Sequence, residues 1–184
     1  MGRIVLFLGG ARSGKSASAE RYAMQQPAPV VYVATAGAGD DEMRERIARH
    51  RARRPGSWRT IEAESEVDVA LRAGERGSTV LLDSLTLLVS NLLLAHGVDA
   101  AAVLDDQLEA LTGVARERDL LLIVVSDEVG MGVVPAYPLG RRYRDLLGHA
   151  NQRVALAASE VYLVVAGIAV ELRRLEAAFA RRGP

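Results

Sequence analysis

Residues 9–16 have the types and spacing needed to hold phosphate. Gly9-Gly10-Ala11-Arg12-Ser13-Gly14-Lys15-Ser16 satisfies G-x-x-x-x-G-K-[ST] at every specified position, after the apolar run Ile4 to Leu8. Glycines in such a loop let backbone N–H groups turn inward around phosphate oxygens, and the helix that follows adds the positive end of its dipole. In this pattern Lys15 reaches the terminal phosphates and the Ser16 hydroxyl ligates Mg²⁺. Lys15 is the only lysine in the chain; the other strongly basic side chains are all arginine. A sequence that avoids lysine everywhere else is constrained at this one position. The expected ligand is a nucleoside triphosphate.

Two further groups have types suited to the same chemistry. Asp83 closes the apolar run Thr79-Val80-Leu81-Leu82. A carboxylate there is a candidate for magnesium, directly or through water, or else a cap for the next helix. Over 41–54 the pattern is helical, with Glu42/Arg46 and Glu45/Arg49 as favourable i,i+4 pairs. Met43, Ile47, His50 and Arg54 share one face of it, and Arg46, Arg49, Arg51 and Arg53 flank them. One reading is a solvated basic face around an idle histidine. The other is a set of guanidinium groups holding a polyphosphate while a neutral imidazole attacks it, since surrounding positive charge disfavours imidazolium. His96 and His149 lack such surroundings and read as structural.

The elements that position these groups are legible from apolar runs and breakers. Strands are expected at 3–8, 30–35, 79–83, 120–125 and 161–165, with a short extended piece around 58–62. Helices are expected at 14–25, 41–54, 64–74, 85–96, 99–118 and 139–158, and the tail from Val170 is ambiguous between strand and helix. In 99–118 the stripe Val103, Leu104, Leu108, Leu111 and Val114 marks the buried face. Residues 126–138 form a long loop with two glycines and two prolines. Continuously apolar strands alternating with helices imply one α/β domain, a mostly parallel sheet covered on both faces. Ligands in such sheets bind at the carboxyl ends of the strands. The phosphate loop, Thr35, Asp83 and the segment from Ser126 to Gly132 should therefore share one rim.

Composition narrows the function. The 184 residues are 49% hydrophobic and 25% charged, with zero formal net charge and no cysteine. That excludes disulfides and thiolate chemistry, and gives no global attraction to nucleic acid or anionic membrane. The local HRARRP patch alone does not make a nucleic-acid surface. The apolar stretch Leu85 to Ala95 is broken by Thr86, Ser90 and Asn91 and falls short of the roughly 20 residues of a membrane span. The first strand begins at once, leaving no room for a signal peptide, so a cytoplasmic protein is expected. On these grounds alone the chain is a P-loop enzyme acting on a small molecule, or a nucleotide-dependent switch.

A longer set of segments narrows this further. GGARSGKS, ATA at 34–36, DDEMRERIARHRARRP at 40–55, WRTIE at 58–62, LLDSLT at 81–86, SDEVGMGVVP at 126–135, LGRRYRDLLGHANQ at 139–152 and EVYLVVAGI at 160–168 occur in that order. Together they resemble the bifunctional adenosylcobinamide kinase / adenosylcobinamide-phosphate guanylyltransferase family of cobalamin biosynthesis. The resemblance covers nearly the whole chain, and RIxxHRxxRP with VGMGxVP is far more specific than the phosphate loop. It implies a RecA-like P-loop fold, Mg²⁺, ATP and GTP as substrates, and a homotrimer. It also implies phosphorylation of the aminopropanol hydroxyl of adenosylcobinamide, then transfer of GMP from GTP to that phosphate. The histidine of RIxxHRxxRP carries the covalent GMP, and here it is His50. The implied nucleotide site takes in the loop 9–16 with Ala34, Thr35, Ala36, Arg51, Arg53, Arg54, Glu62, Asp83 and Ser84, and the metal falls to Ser16 and Asp83. Three positions depart from the family pattern: Ser84 stands for the common Cys, Leu88 for Trp, and Asp127 for Asn.

Overall fold

In the computed structural model, residues 2–27, 29–37, 48, 51–52 and 54–177 are described. Seven strands form one sheet: β1 (Arg3–Gly9), β2 (Val30–Ala34), β3 (Arg59–Glu62), β4 (Thr79–Asp83), β5 (Leu121–Asp127), β6 (Glu160–Val165) and β7 (Ile168–Glu171). Their order is β3-β2-β4-β5-β1-β6-β7. Every pairing is parallel except β6 with β7. The helices described are α1 (Lys15–Met24), α2 (Val67–Arg72), α3 (Leu85–His96), α4 (Ala100–Glu117) and α5 (Pro138–Ala157).

The continuous apolar runs are explained by burial on two faces. Ile4, Leu6, Val31, Val33, Val80, Leu82, Leu122 and Val124 point to one side, where α2, α3, α4 and α5 supply the rest of the larger core. The alternate residues Val5, Phe7, Tyr32, Leu81, Ile123 and Val125 point to the other, against Ala19 and Ala23 of α1. Phe7 stacks on Tyr162 there, ring centroids 4.8 Å apart. Side chains alternate across a strand, so a strand buried on both faces reads as unbroken hydrophobicity.

Several boundaries differ from the sequence expectation. β5 runs two residues beyond Val125, because its pairing with β1 continues through Leu8 with Ser126 and Gly9 with Asp127. Asp127 is therefore strand, fixed at the carboxyl end of the central strand β5, rather than loop. The chain turns back at Ala166 and Gly167, both at positive φ, to form antiparallel β7, which takes in the first two residues of the ambiguous tail, Val170 and Glu171, before a 3₁₀ turn at Arg173–Leu175. Two residues in left-handed conformation match a tight hairpin turn. The helix expected over 41–54 lies mostly outside the described residues; Ala48, Arg51 and Ala52 are helical. Leu85–Glu117 is long and apolar enough, by length and composition, to cross a membrane. Here it is two helices joined by a 3₁₀ turn at Gly97–Asp99, with Leu85, Leu88, Leu92, Leu104, Leu108 and Leu111 in the core.

Candidate nucleotide site

The loop between β1 and α1 is shaped by its glycines. A Cβ on Gly9 would lie 2.5 Å from the carbonyl oxygen of Val164 and closer still to the Ser13 hydroxyl. Gly14 takes φ 93°, and its absent Cβ would lie 3.2 Å from the Cα of Gly167. The Ser13 N–H donates to the Gly10 carbonyl at 3.1 Å, and the Ser13 carbonyl accepts from the Gly167 N–H at 2.8 Å. The β6–β7 turn therefore buttresses the phosphate loop from behind. α1 starts at Lys15 with no acidic residue in its first turn. No carboxylate of the helix's own first turn competes with an anion for its positive end.

Replacing Gly9 with Ala should cost about 2–3 kcal/mol, because the obstructing atom at Val164 is backbone. Thermal melts should fall by roughly 5–10 °C, and triphosphate binding should weaken with them. Gly10→Ala is the contrast: a Cβ there meets nothing within 4 Å, and its melt should stay near wild type.

Two carboxylates frame the loop. The Lys15 ammonium forms an ion pair with Asp127 Oδ1 and donates to the Gly10 carbonyl at 3.3 Å; Lys15 itself is only 7% exposed. The Ser16 hydroxyl lies 3.5 Å from Asp83 Oδ1, and Tyr32 donates to Asp83 Oδ2 at 2.8 Å. The Arg54 guanidinium sits over the Tyr32 ring at 3.3 Å and donates to Thr60 Oγ1 at 3.3 Å. Burial, and then the Asp83 charge, push the Tyr32 phenol far above its usual range, so it remains a neutral donor to Asp83.

Asp83 does not cap α3. That task falls to Ser84, whose hydroxyl accepts from the Leu87 N–H at 3.3 Å. Thr35, fully buried, donates to the Ser84 carbonyl at 2.7 Å and accepts from the Ser84 N–H at 2.8 Å. Asn91 closes the next shell, donating to the Thr35 carbonyl at 3.0 Å and the Glu64 carbonyl at 2.9 Å. These contacts lock the ends of β2 and β4 to each other, so Asp83 is held by backbone on both sides.

Strand register explains why the sequence-predicted residues converge. Glu62 pairs with Ala34, Ala34 with Asp83, and Gly9 with Asp127, all at carboxyl ends of parallel strands. The loop 9–16, Thr35, Asp83 and Ser84 lie together on this rim, followed by Ala36. Glu62 and Arg51 are exposed, and Arg54 is half-buried against Tyr32. His50 and Arg53 lie outside the described residues. His149 is away from the rim, paired through Nε2 with Asp105 at 2.8 Å. Sequence reasoning missed Tyr32, Thr86, Asn151 and Gly167. Tyr32 had one signal, as the sole aromatic in an otherwise aliphatic strand. The others contact the site only through long-range packing.

Known proteins resemble this chain over most of its length. A family model described as cobinamide kinase / cobinamide phosphate guanyltransferase matches residues 5–172. The bifunctional adenosylcobalamin biosynthesis protein CobP of Pseudomonas aeruginosa is 47% identical over 169 residues, covering 91% of this chain and 96% of that protein. The bifunctional adenosylcobalamin biosynthesis protein CobU of Salmonella typhimurium is 40% identical over 181 residues, covering 92% of this chain and 99% of that one. Among solved structures, the RadB recombinase superposes with a TM-score of 0.52 at 16% identity, over 88% of this chain and 73% of RadB. At that identity the likeness is one of fold alone.

Proposed function

This chain belongs to the cobinamide kinase / cobinamide phosphate guanyltransferase family, and we propose that its phosphate loop serves both reactions on adenosylcobinamide. The carrying observation is the loop itself: Lys15 and Ser16 face Asp83 and Asp127 at the carboxyl ends of the central strands, in a chain matched by that family over residues 5–172.

In the first reaction a nucleoside triphosphate, ATP or GTP, gives its γ-phosphoryl group to the aminopropanol hydroxyl. Backbone N–H groups of the loop and the start of α1 receive the phosphates, and Lys15 neutralises the charge that develops on them. Ser16 Oγ and Asp83 Oδ1, 3.5 Å apart, are oxygen donors of the kind a hard cation takes. Among the described residues no group of three or more His, Cys, Asp or Glu could hold a metal alone. Mg²⁺ keeps most of its shell as water and substrate phosphate, so two protein oxygens are enough to anchor it. When bound, Mg²⁺ supplies charge stabilisation to the transferring phosphoryl group.

In the second reaction His50 attacks the α-phosphorus of GTP. A P–N bond forms, the P–O bond to pyrophosphate breaks, and pyrophosphate leaves. A phosphate oxygen of adenosylcobinamide-phosphate then attacks the same phosphorus; the P–N bond breaks, the imidazole is restored, and adenosylcobinamide-GDP is the product. Two in-line displacements replace one difficult transfer. Arg51, Arg53 and Arg54 balance the charge of the guanylyl and pyrophosphate groups; Glu62, Ala34, Ala36 and Ser84 complete the nucleotide surround, and the buried Thr35 supports it from behind through its two hydrogen bonds to Ser84. The working assembly is a homotrimer, as the family resemblance implies.

The test is retention of label on the wild-type protein, with Mg²⁺ and GTP labelled separately on the α- and γ-phosphates. The expected result is an α-label alone, acid-labile and base-stable, mapping to the peptide that contains His50. If neither label stays while GTP binds, the guanylyl-histidine step is wrong and a P-loop kinase remains.

A further inference from the structure

We infer that Asp127 is a displaceable counter-ion for Lys15 and sets how tightly this site holds nucleotide. The inference rests on the proposed reading only in taking a nucleoside triphosphate as the ligand of the loop. A lysine that must grip terminal phosphates is already neutralised here: its ammonium is paired with Asp127 Oδ1 and hydrogen-bonded to the Gly10 carbonyl.

The carboxylate is built into that position. The Asp127 N–H donates to Thr86 Oγ1 at 2.8 Å, and its carbonyl accepts from Asn151 Nδ2 at 3.0 Å. Asn151 is oriented in turn by the buried Ser126, which donates to Asn151 Oδ1 at 2.6 Å. The strand pairs through Gly9 and Asp127, so the backbone cannot retreat without breaking the ladder. Tyr143 faces the same carboxylate: burial first, then the Asp127 charge, push its phenol up to about 12, so it stays neutral there.

Nucleotide therefore enters in exchange for an existing contact. When Lys15 turns to the terminal phosphates, Asp127 loses its cation and is left beside a polyanion at short range. Both the lost pair and the new like-charge contact weaken binding. The same arrangement favours release. Once pyrophosphate or nucleoside diphosphate begins to leave, Lys15 has a fixed partner to return to. Asp127 thus trades nucleotide affinity for product departure, without touching the reacting phosphorus.

The measurement is calorimetric titration of the full chain with an α,β-methylene GTP analogue, whose α–β bridge cannot be cleaved by guanylyl transfer, and with GMP, in Mg²⁺, for wild type, Asp127→Asn and Asp127→Ala. Both variants should bind the triphosphate analogue about tenfold more tightly than wild type, a modest charge term. The gain for GMP, which offers Lys15 no terminal phosphate, should be much smaller. Stopped-flow dissociation of the analogue should slow by a similar factor. If the Asn variant binds the analogue no better than wild type, Asp127 merely positions Lys15 and the inference fails. Should the Asn variant not fold, the Ala variant carries the same comparison. Only binding is read, so a negative result leaves the guanylyl transfer standing, and loss of guanylyl transfer leaves this comparison intact.

Discussion

Replacement of His50 by Ala should reduce guanylyl transfer by at least about 10⁴-fold, because it removes the proposed nucleophile rather than a contact to it. Neither a neighbouring arginine nor water can stand in, since guanidinium is not nucleophilic at neutral pH and water would give hydrolysis. Triphosphate affinity should change far less, as it comes from the loop 9–16 and the start of α1. Phosphorylation of adenosylcobinamide should likewise fall far less than guanylyl transfer, because that step uses the γ-phosphorus and a different attacking atom. The check is a pair of single-turnover assays, one following phosphate onto the corrinoid and one following GMP. Equal loss of both would mean that His50 supports binding or folding, and the covalent role would be withdrawn.

Lys15→Ala should damage both reactions together, for a different reason. One charged donor to the terminal phosphates is removed, and losses of about 10²–10³ in kcat are the usual consequence. The structure adds a second effect that a sequence motif does not contain. Asp127 would remain at the loop with its cation gone, in a setting where its side chain is 20% exposed. Leaving one partner of such a pair costs about 2–3 kcal/mol, below the cost for a fully buried pair because of that exposure. Denaturant melts should show this directly, and Lys15→Ala/Asp127→Asn should regain most of the stability while remaining catalytically impaired. If the double variant were as unstable as the single one, the ion pair would not be the cause. If activity also returned, Lys15 would not be the phosphate-gripping residue.

The phosphate loop, and the strands and helices around it, follow from local pattern. The motif at 9–16 is a covalent neighbourhood, and eight adjacent residues bring their own geometry with them. Apolar runs such as Thr79 to Asp83 and the stripe of Leu104, Leu108 and Leu111 report burial by period, so β4 and α4 were legible. The convergence of Thr35 and Asp83 on the loop's edge followed as well, because parallel strands align their carboxyl ends.

Which groups pair with which depends on the packing of the whole chain. Lys15 and Asp127 are 112 positions apart, and nothing in either neighbourhood encodes the ion pair; it exists because β5 inserts between β1 and β4 and pairs to Gly9. The hydrogen bond from Tyr32 to Asp83, the grip of Asn151 and Thr86 on Asp127, and the seating of Gly167 behind Ser13 arise in the same way. Periodicity tells which face of an element is buried, but not which element will lie against it. Local pattern names the groups that hold phosphate, and the order of strands in the sheet sets the charges they answer to.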